Sequence, residues 1–379
     1  MLACEVSYFS KNKTGEEICG DTLKMKRGKD RVVVSISDGL GSGVKASILS
    51  TLTASIATTM VYNNLPIEEV FKSILETLPV CKVRGISYAT LCTMLFDSKT
   101  SECSIIEYEF PVVLYFKNAE NIELKKTEKN IEGKKVFISK FKVEKGDSLF
   151  IMTDGISQAG MGTELFPFGF GIENVRKEIR NLLLNKVNHA QIAKHLVNLS
   201  KKLDERSKGD DALVAAIRFR EYQVVNLFVG PPENRERDKE AVESFMKLPG
   251  KKIVCGGTTG QIFEKILKKN VKIDLFTLKE ESPPVGYMEG IDLVTEGIVT
   301  LTHVFRYLDG QQKEIGYGAK KIVEFLETAD EVNFFVGRAI NPAHQNPLFS
   351  HDISLKFRLI KDISDILKKQ GKIVDLKYF

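Results

Sequence analysis

The sequence has few of the features that mark membrane, secreted or zinc-binding proteins. It contains no run of about 18 apolar residues, and its N-terminus lacks the basic region and apolar run of a secretory signal. The six cysteines form no C-x-x-C pair, and none lies near a His at zinc-ligand spacing. The five histidines fall in no motif. We therefore expect a cytoplasmic protein with reduced, buried thiols and no membrane partner.

The charge is also modest. The net charge is +5, and the whole excess lies in residues 1–220, while the rest of the chain is neutral. A nucleic-acid-binding domain usually carries a clustered basic stripe and a pI above about 9, whereas the pI here is about 8.6. We therefore expect no nucleic-acid partner. A chain of 379 residues with 43% hydrophobic residues is long enough for about two globular domains.

The first part of the chain, residues 1–221, alternates buried strands with amphipathic helices. Long strands that bracket helices predict an α+β fold, a β-sandwich flanked by helices. In the first helix, apolar residues recur at helical spacing, at Val44, Ile48, Leu49, Leu52, Ile56 and Met60. The predicted helices are 42–61, 66–78 and a helical stretch over 171–206, and the predicted strands are 31–37, 88–96, 103–109, 111–116, 135–141, 148–153 and 211–219.

Residues 222–379 follow a different pattern, because strands and helices alternate regularly. This is typical of a doubly wound α/β (Rossmann-like) domain. The segments NLFVG (226–230) and NFFVG (333–337) resemble each other, which indicates either an internal duplication or chance similarity. The predicted strands are 223–229, 251–255, 272–276, 331–336 and 372–376, and the predicted helices are 235–247, 259–269, 297–308, 315–327 and 350–370.

Acidic residues stand at the ends of strands in the first domain. Asp38 and Asp154 each end an apolar strand and precede a glycine, Asp21 lies just before a strand, and Asp210 and Asp211 precede the last strand. Carboxylates that converge at one sheet edge repel each other unless cations lie among them, and oxygen ligands favour Mg²⁺ or Mn²⁺. A single Asp-Gly is usually only a turn. From spacing alone, a metal site and a set of ordinary turns both remain open.

Four segments in a fixed order resemble a known family. SDGLGSGVKAS (37–47), ICGD (18–21), TDGIS (153–157) and GDDALVAAIRF (209–219) are similar to motifs of the type 2C metal-dependent protein phosphatases. The similarity is to their bacterial branch, named for stage II sporulation protein E. YATLCTMLFD (88–97) resembles the central strand of that branch. Together these segments span about residues 1–220.

The resemblance implies a protein serine/threonine phosphatase with two Mn²⁺ or Mg²⁺ ions. By position, Asp38 matches the bridging carboxylate, and the carbonyl of Gly39 matches a ligand of the second ion. Asp154 and Asp210 match ligands of the first ion, so the implied catalytic residues are Asp38, Asp154 and Asp210. The implied metal set also includes Asp21 and the supporting Asp211. A water activated by the two ions would hydrolyse phosphoserine or phosphothreonine.

The resemblance also implies a partner. Relatives often act on phosphorylated anti-sigma-factor antagonists, so a phosphoprotein of that kind is the implied substrate. Two departures stand out: KNKTGEE (11–17) lacks the Arg that holds phosphate in eukaryotic relatives, and Leu213 replaces a usual Thr. The alternative function is a catalytically degenerate phosphatase fold that acts as a sensor or scaffold. A nucleotide-binding enzyme centred on the second domain is a third hypothesis.

The second domain contains one candidate ligand loop. VCGGTTGQIF (254–263) predicts a strand, a glycine-rich turn and a helix, in which Gly256, Gly257, Thr258, Thr259 and Gly260 form the turn. Free N–H groups at a helix start can bind phosphate or carboxylate, although the segment is neither G-x-G-x-x-G nor a Walker loop. A tight turn without a ligand is the alternative. We expect a small-molecule effector here or at the polar loop 337–347, with a regulatory role for the domain.

Overall fold

The computed structural model describes residues 1–77, 89–278, 282–339 and 352–379. The chain forms two compact units, Met1–Glu221 and Tyr222–Phe379. Four sequence predictions fall partly outside the described residues: the end of the helix predicted at 66–78, the start of the strand predicted at 88–96, most of the polar loop at 337–347, and the start of the helix predicted at 350–370.

The first unit contains eleven described strands and five described α-helices. The strands are β1 (Leu2–Lys11), β2 (Asp21–Arg27), β3 (Arg31–Asp38), β4 (Leu91–Asp97), β5 (Glu102–Tyr108), β6 (Val112–Lys117), β7 (Glu120–Ile122), β8 (Thr127–Ile131), β9 (Lys134–Lys142), β10 (Ser148–Met152) and β11 (Ala212–Glu221). The helices are α1 (Gly43–Tyr62), α2 (Ile67–Thr77), α3 (Asp154–Ser157), α4 (Ile172–Leu184) and α5 (His189–Leu203).

These strands form two sheets that pack face to face. One has the order β1-β11-β10-β6-β7 and the other β2-β3-β4-β5-β9-β8. The core between them draws alternate residues from both sheets, such as Val34 and Ile36 of β3 and Leu149 and Ile151 of β10. The outer face of the first sheet packs against α4 and α5, and that of the second against α1 and α2. The predicted α+β fold is confirmed.

Helix α1 buries a different face from the one its large apolar residues suggest. Val44 and Ile48 are each 60% exposed, and Leu52 is also exposed. The buried face is made mostly of small or hydroxyl-bearing residues: Gly43, Ala46, Leu49, Ser50, Thr53, Ala54, Ala57, Thr58 and Val61. Small side chains allow the helix axis to lie close to the sheet, so the six apolar positions do not form one buried stripe.

Helix α1 is also long and apolar enough to cross a membrane by length and composition, which the sequence analysis did not anticipate. That criterion is weak, because core helices of soluble proteins meet it too. Here α1 packs against β2, β3 and α2, with 44% of its apolar window buried inside the protein. These contacts are those of a core helix.

The second unit is built on one seven-stranded sheet. Its strands are β12 (Val224–Val229), β13 (Lys251–Cys255), β14 (Lys272–Asp274), β15 (Val285–Met288), β16 (Ile291–Thr295), β17 (Glu331–Val336) and β18 (Ile373–Tyr378). Its helices are α6 (Asp238–Met246), α7 (Gly257–Leu267), α8 (Ile298–Leu308), α9 (Tyr317–Thr328) and α10 (Asp352–Lys369). The sheet order is β14-β15-β16-β13-β12-β17-β18.

Five neighbouring strands of this sheet are parallel, in the order β16, β13, β12, β17 and β18. Strands β14 and β15 form an antiparallel edge. Two hydrophobic clusters cover its two faces, because successive residues of β12 point to opposite sides: Leu227 to one cluster and Phe228 to the other. The sequence analysis missed β15 and β16. They are short and joined at Gly290, whose φ of +90° suits a tight turn.

The two similar pentapeptides lie side by side. They belong to the neighbouring parallel strands β12 and β17 and pair in register, Asn226 opposite Asn333 and Phe228 opposite Phe335. The Asn333 side-chain amide donates to Asn226 Oδ1 at 3.0 Å, and the two phenylalanine rings stack. The two segments thus occupy the same position on two central strands, where the Asn333 amide and the Asn226 side-chain oxygen satisfy each other.

Candidate functional site

The structure brings the five predicted acidic residues to one end of the β-sandwich. Asp21 begins β2 and Asp38 ends β3, and they lie directly opposite each other in the antiparallel pairing. Asp154 begins α3, just after β10, while Asp210 and Asp211 immediately precede β11. Because β10 and β11 pair antiparallel, the end of one lies beside the start of the other. Carboxylates from both sheets thus lie at the same end of the β-sandwich.

The carboxylates are partly buried and repel one another. Burial and then the negative charge of Asp154 together raise the pKa of Asp38 to about 7. Burial also raises the pKa of Asp21 well above its usual range, as does the charge of Asp38. The pKa of Asp154 is raised by burial and then by Asp210. Such shifts are expected where buried carboxylates lie close to one another.

The donor set suits a hard divalent cation. Asp21 Oδ1 is buried and has no hydrogen-bond partner among the described residues, so a buried acceptor of the cluster is left without a donor. All the side chains supply oxygen, which Mg²⁺ and Mn²⁺ prefer. Within the described ranges, no group of three or more acidic, Cys or His side chains is already arranged to hold a metal ion. The fit to such an ion rests on the oxygen donors and the negative charge of the cluster, and not on a preformed coordination geometry.

The two glycines that follow Asp38 and Asp154 are required by close packing. A Cβ on Gly39 would lie 2.1 Å from the carbonyl oxygen of Ala46 in α1. A Cβ on Gly155 would lie 1.9 Å from the carbonyl oxygen of Asp211. At each Asp-Gly pair, a helix therefore packs closely against the acidic cluster. Helix α1 contacts the Asp38 loop through backbone atoms.

Two neighbours of the acids were not predicted as site residues. Thr153 is fully buried; its hydroxyl donates to Asp21 Oδ2 at 2.7 Å and accepts from the backbone N–H of Leu213 at 2.8 Å. Gln158, one turn along α3, donates to Asp154 Oδ2 at 2.8 Å. Both hold a carboxylate in place. The only signal for them in the sequence is their closeness to Asp154.

Of the two lysines in the segment KNKTGEE (11–17), Lys13 lies at the acidic cluster and Lys11 does not. The Lys13 amine contacts Asp210 Oδ1 at 2.9 Å, and its backbone N–H donates to Asp211 Oδ1. This ion pair raises the pKa of Lys13. Lys11 instead forms a buried ion pair with Asp204, whose carboxylate also accepts from the backbone N–H of Gly160. Lys13 is therefore a cationic side chain that could contact a bound phosphoryl group.

The predicted ligand loop of the second unit is mostly helix. Gly256 precedes α7 with a φ of +120°, and residues 257–260 form the first turn of that helix instead of a free turn before it. Thr258 faces a cavity, while Gly260 lies against Val294. The helix begins two residues earlier than predicted, because a glycine-rich stretch is a poor sequence signal for a helical first turn.

A protein-family model matches most of the first unit by sequence. The family model of stage II sporulation protein E (SpoIIE) matches residues 28–220, just over half of the chain. The chain belongs to the SpoIIE family. The resemblance proposed from the motifs is therefore confirmed, and the match covers Asp38, Asp154, Asp210 and Asp211 of the acidic cluster. No curated protein matches this SpoIIE-family chain by sequence.

Solved structures similar to this SpoIIE-family chain include phosphatase domains. The PP2C phosphatase domain of SpoIIE from Bacillus subtilis, with a fragment of its regulatory domain, is 19% identical with a TM-score of 0.48; the match covers 58% of this chain and 62% of that one. RsbX in complex with magnesium is 18% identical (TM-score 0.41; 58% and 100% covered). PstP in complex with two manganese ions is 11% identical (TM-score 0.39; 58% and 100% covered).

Proposed function

We propose that this protein is a metal-dependent protein serine/threonine phosphatase whose active site is the acidic cluster of the first unit. The observation that carries the proposal is the convergence of five carboxylates from two sheets, with raised pKa values for Asp21, Asp38 and Asp154 and an unpartnered buried oxygen on Asp21. Membership of the SpoIIE family supports it. The second unit is proposed to regulate this activity.

In this proposal, Asp21, Asp38, Asp154, Asp210 and the carbonyl of Gly39 would hold two Mn²⁺ or Mg²⁺ ions, and Asp211 would support them. Such ions supply the charge that activates a water and neutralises a phosphoryl group. The chain's own contribution is positioning. Thr153 fixes Asp21, Gln158 fixes Asp154, and Lys13 places a cation beside Asp210.

The proposed substrate is a phosphoserine or phosphothreonine on a protein of the anti-sigma-factor-antagonist type. The whole positive excess of the chain lies in residues 1–220, which suits an anionic phosphoprotein. Within the described ranges, Cys19, Cys92, Cys103 and Cys255 are free thiols. Free thiols support the proposed cytoplasmic location.

The test is hydrolysis of an aryl phosphate and of a phosphoserine peptide by the full chain, with Mn²⁺ or with EDTA. We expect activity only with metal. Asp38→Asn and Asp154→Asn should each lower kcat by more than about 100-fold, because even partners outside the coordination sphere usually contribute about 10–100-fold. Asp30→Asn is the matched control, since Asp30 is an acid of the same unit that pairs with Lys99 away from the cluster.

Full activity in Asp38→Asn would contradict the proposed site. If the wild-type protein binds no Mn²⁺ by calorimetry and releases no phosphate, the chain is instead a degenerate phosphatase fold with a sensing or scaffolding role. Each result is interpretable only if the variants keep the wild-type circular dichroism spectrum.

A further inference from the structure

The second unit has a cavity at the point where such sheets usually bind ligands. From β12 the chain adds β13 and β16 on one side and later β17 and β18 on the other, so the strand order reverses between β12 and β17. Ligands of open α/β sheets bind outside the carboxyl ends of the strands at this reversal. A cavity of about 1260 Å³ opens there, lined by residues that follow β12 and β17 and by α7.

The lining of this cavity is mixed in polarity and in charge. Its basic side chains are Arg235, Lys239, Lys265 and Arg338, and its acidic ones are Glu233, Glu236 and Asp238. An aromatic surface completes it, because the Arg338 guanidinium lies 5.5 Å above the Tyr378 ring and Phe357 packs beside that ring. Such a lining suits a ligand with an anionic group and a planar part.

A buried lysine lies between the two strand ends. Lys356 of α10 is 8% exposed, and its amine donates to the carbonyl oxygen of Gly337. The same amine is 3.0 Å from the position that a Cβ on Gly230 would occupy. Gly230 and Gly337 immediately precede Pro231 and Arg338, which line the cavity, so the amine lies next to the strand ends that border it.

Among the described residues, no carboxylate pairs with the Lys356 amine. Burial of the amine lowers its pKa. A buried ammonium without a counter-ion is costly, and an anion from solution would compensate it. The amine's contacts with the Gly337 carbonyl and, at 5.3 Å, with the Phe357 ring do not neutralise its charge.

The first turn of α7 supplies further donors at the edge of the cavity. Gly256 provides no side-chain cap, so the first N–H groups of the helix are not satisfied by one. Thr259 is 1% exposed, and its hydroxyl has no hydrogen-bond partner within the described ranges. That hydroxyl lies 3.0 Å from where a Cβ on Gly256 would stand, so it faces the bare start of the helix.

We propose that this cavity binds a phosphate-bearing small molecule of nucleotide size. The Lys356 amine and the start of α7, with Thr259, hold the phosphate, Arg338 and Lys265 neutralise it, and Tyr378 offers a face to the planar part. The inference rests on the geometry of the second unit alone, so it holds whether or not the first unit is a phosphatase.

The experiment is isothermal titration of the full-length Asp38→Asn protein with ADP and with inorganic phosphate in EDTA, which removes metal-mediated binding in the first unit. We expect ADP to bind more tightly than phosphate. Lys356→Met should weaken ADP binding by at least about tenfold, the loss expected for one hydrogen bond to a charged group. The matched control is Lys361→Met, an exposed lysine on the same helix, which should leave the affinity unchanged.

The Thr259→Val variant distinguishes a loss of ADP binding from a loss of folding. It removes a buried hydroxyl without a partner and keeps the side-chain shape, so the melting temperature should stay the same or rise while ADP binding weakens several-fold. If neither ADP nor phosphate binds, the proposal is wrong. It is also wrong if ADP binds with the same affinity to the parent protein, Lys356→Met and Thr259→Val.

Discussion

The Thr153→Val substitution tests how the acidic cluster is supported. Valine keeps the shape of Thr153 but removes a hydroxyl that donates to Asp21 and accepts from the N–H of Leu213. A hydrogen bond to a charged group contributes about 1.5–3 kcal/mol, and a buried N–H left without a partner costs about 1–3 kcal/mol. The expected loss in the free energy of unfolding is therefore about 2.5–6 kcal/mol.

The assay is scanning calorimetry of the full chain. In a domain of about 150–250 residues, 1 kcal/mol shifts the melting temperature by about 2–4 °C, so the first unit should melt at least roughly 5 °C lower. Mn²⁺ affinity should also fall by about 10–100-fold, as for other residues that orient a metal ligand. Thr153→Ser keeps the hydroxyl and should retain most of the affinity. Wild-type melting and wild-type Mn²⁺ affinity in Thr153→Val would refute the supporting role.

Three further predictions concern the first unit. Lys11→Met should cost about 3–5 kcal/mol, because it leaves the buried Asp204 unpaired, whereas Lys13→Met, at a more exposed pair, should cost about 1 kcal/mol or less by denaturant titration. Leu49→Ala should cost about 2–5 kcal/mol, while Ile48→Ala beside it should stay within about 0.5 kcal/mol, since only Leu49 is buried; equal losses would place the wrong face of α1 against the sheet. Without metal, the raised pKa of Asp38 means that the folded state binds more protons than the unfolded state, so melting temperature in EDTA should fall as pH rises from about 4 to about 7; Asp38→Asn should flatten that slope, and a rise with pH would contradict the sign.

The acidic cluster could be predicted from the sequence because each carboxylate lies beside a strong local signal. Asp38 and Asp154 each stand at the end of an apolar strand and precede a glycine, and the structure shows the reason for that glycine: backbone atoms, of Ala46 in α1 and of Asp211 before β11, occupy the space where a Cβ would be. The order of the motifs then gave the family. Thr153 could not be found in this way, because a buried hydroxyl is recognised only by what it contacts across two strands.

The buried face of α1 is a part of the fold that hydrophobic periodicity does not predict correctly. Periodicity assumes that the largest apolar side chains face the core, yet α1 turns alanine, serine and threonine toward the sheet. The contact between Gly39 and the carbonyl of Ala46 explains this, since only small residues let the helix approach the Asp38 loop so closely. The geometry of the acidic cluster thus constrains how the helix packs, and Val44, Ile48 and Leu52 are left on the surface as a consequence.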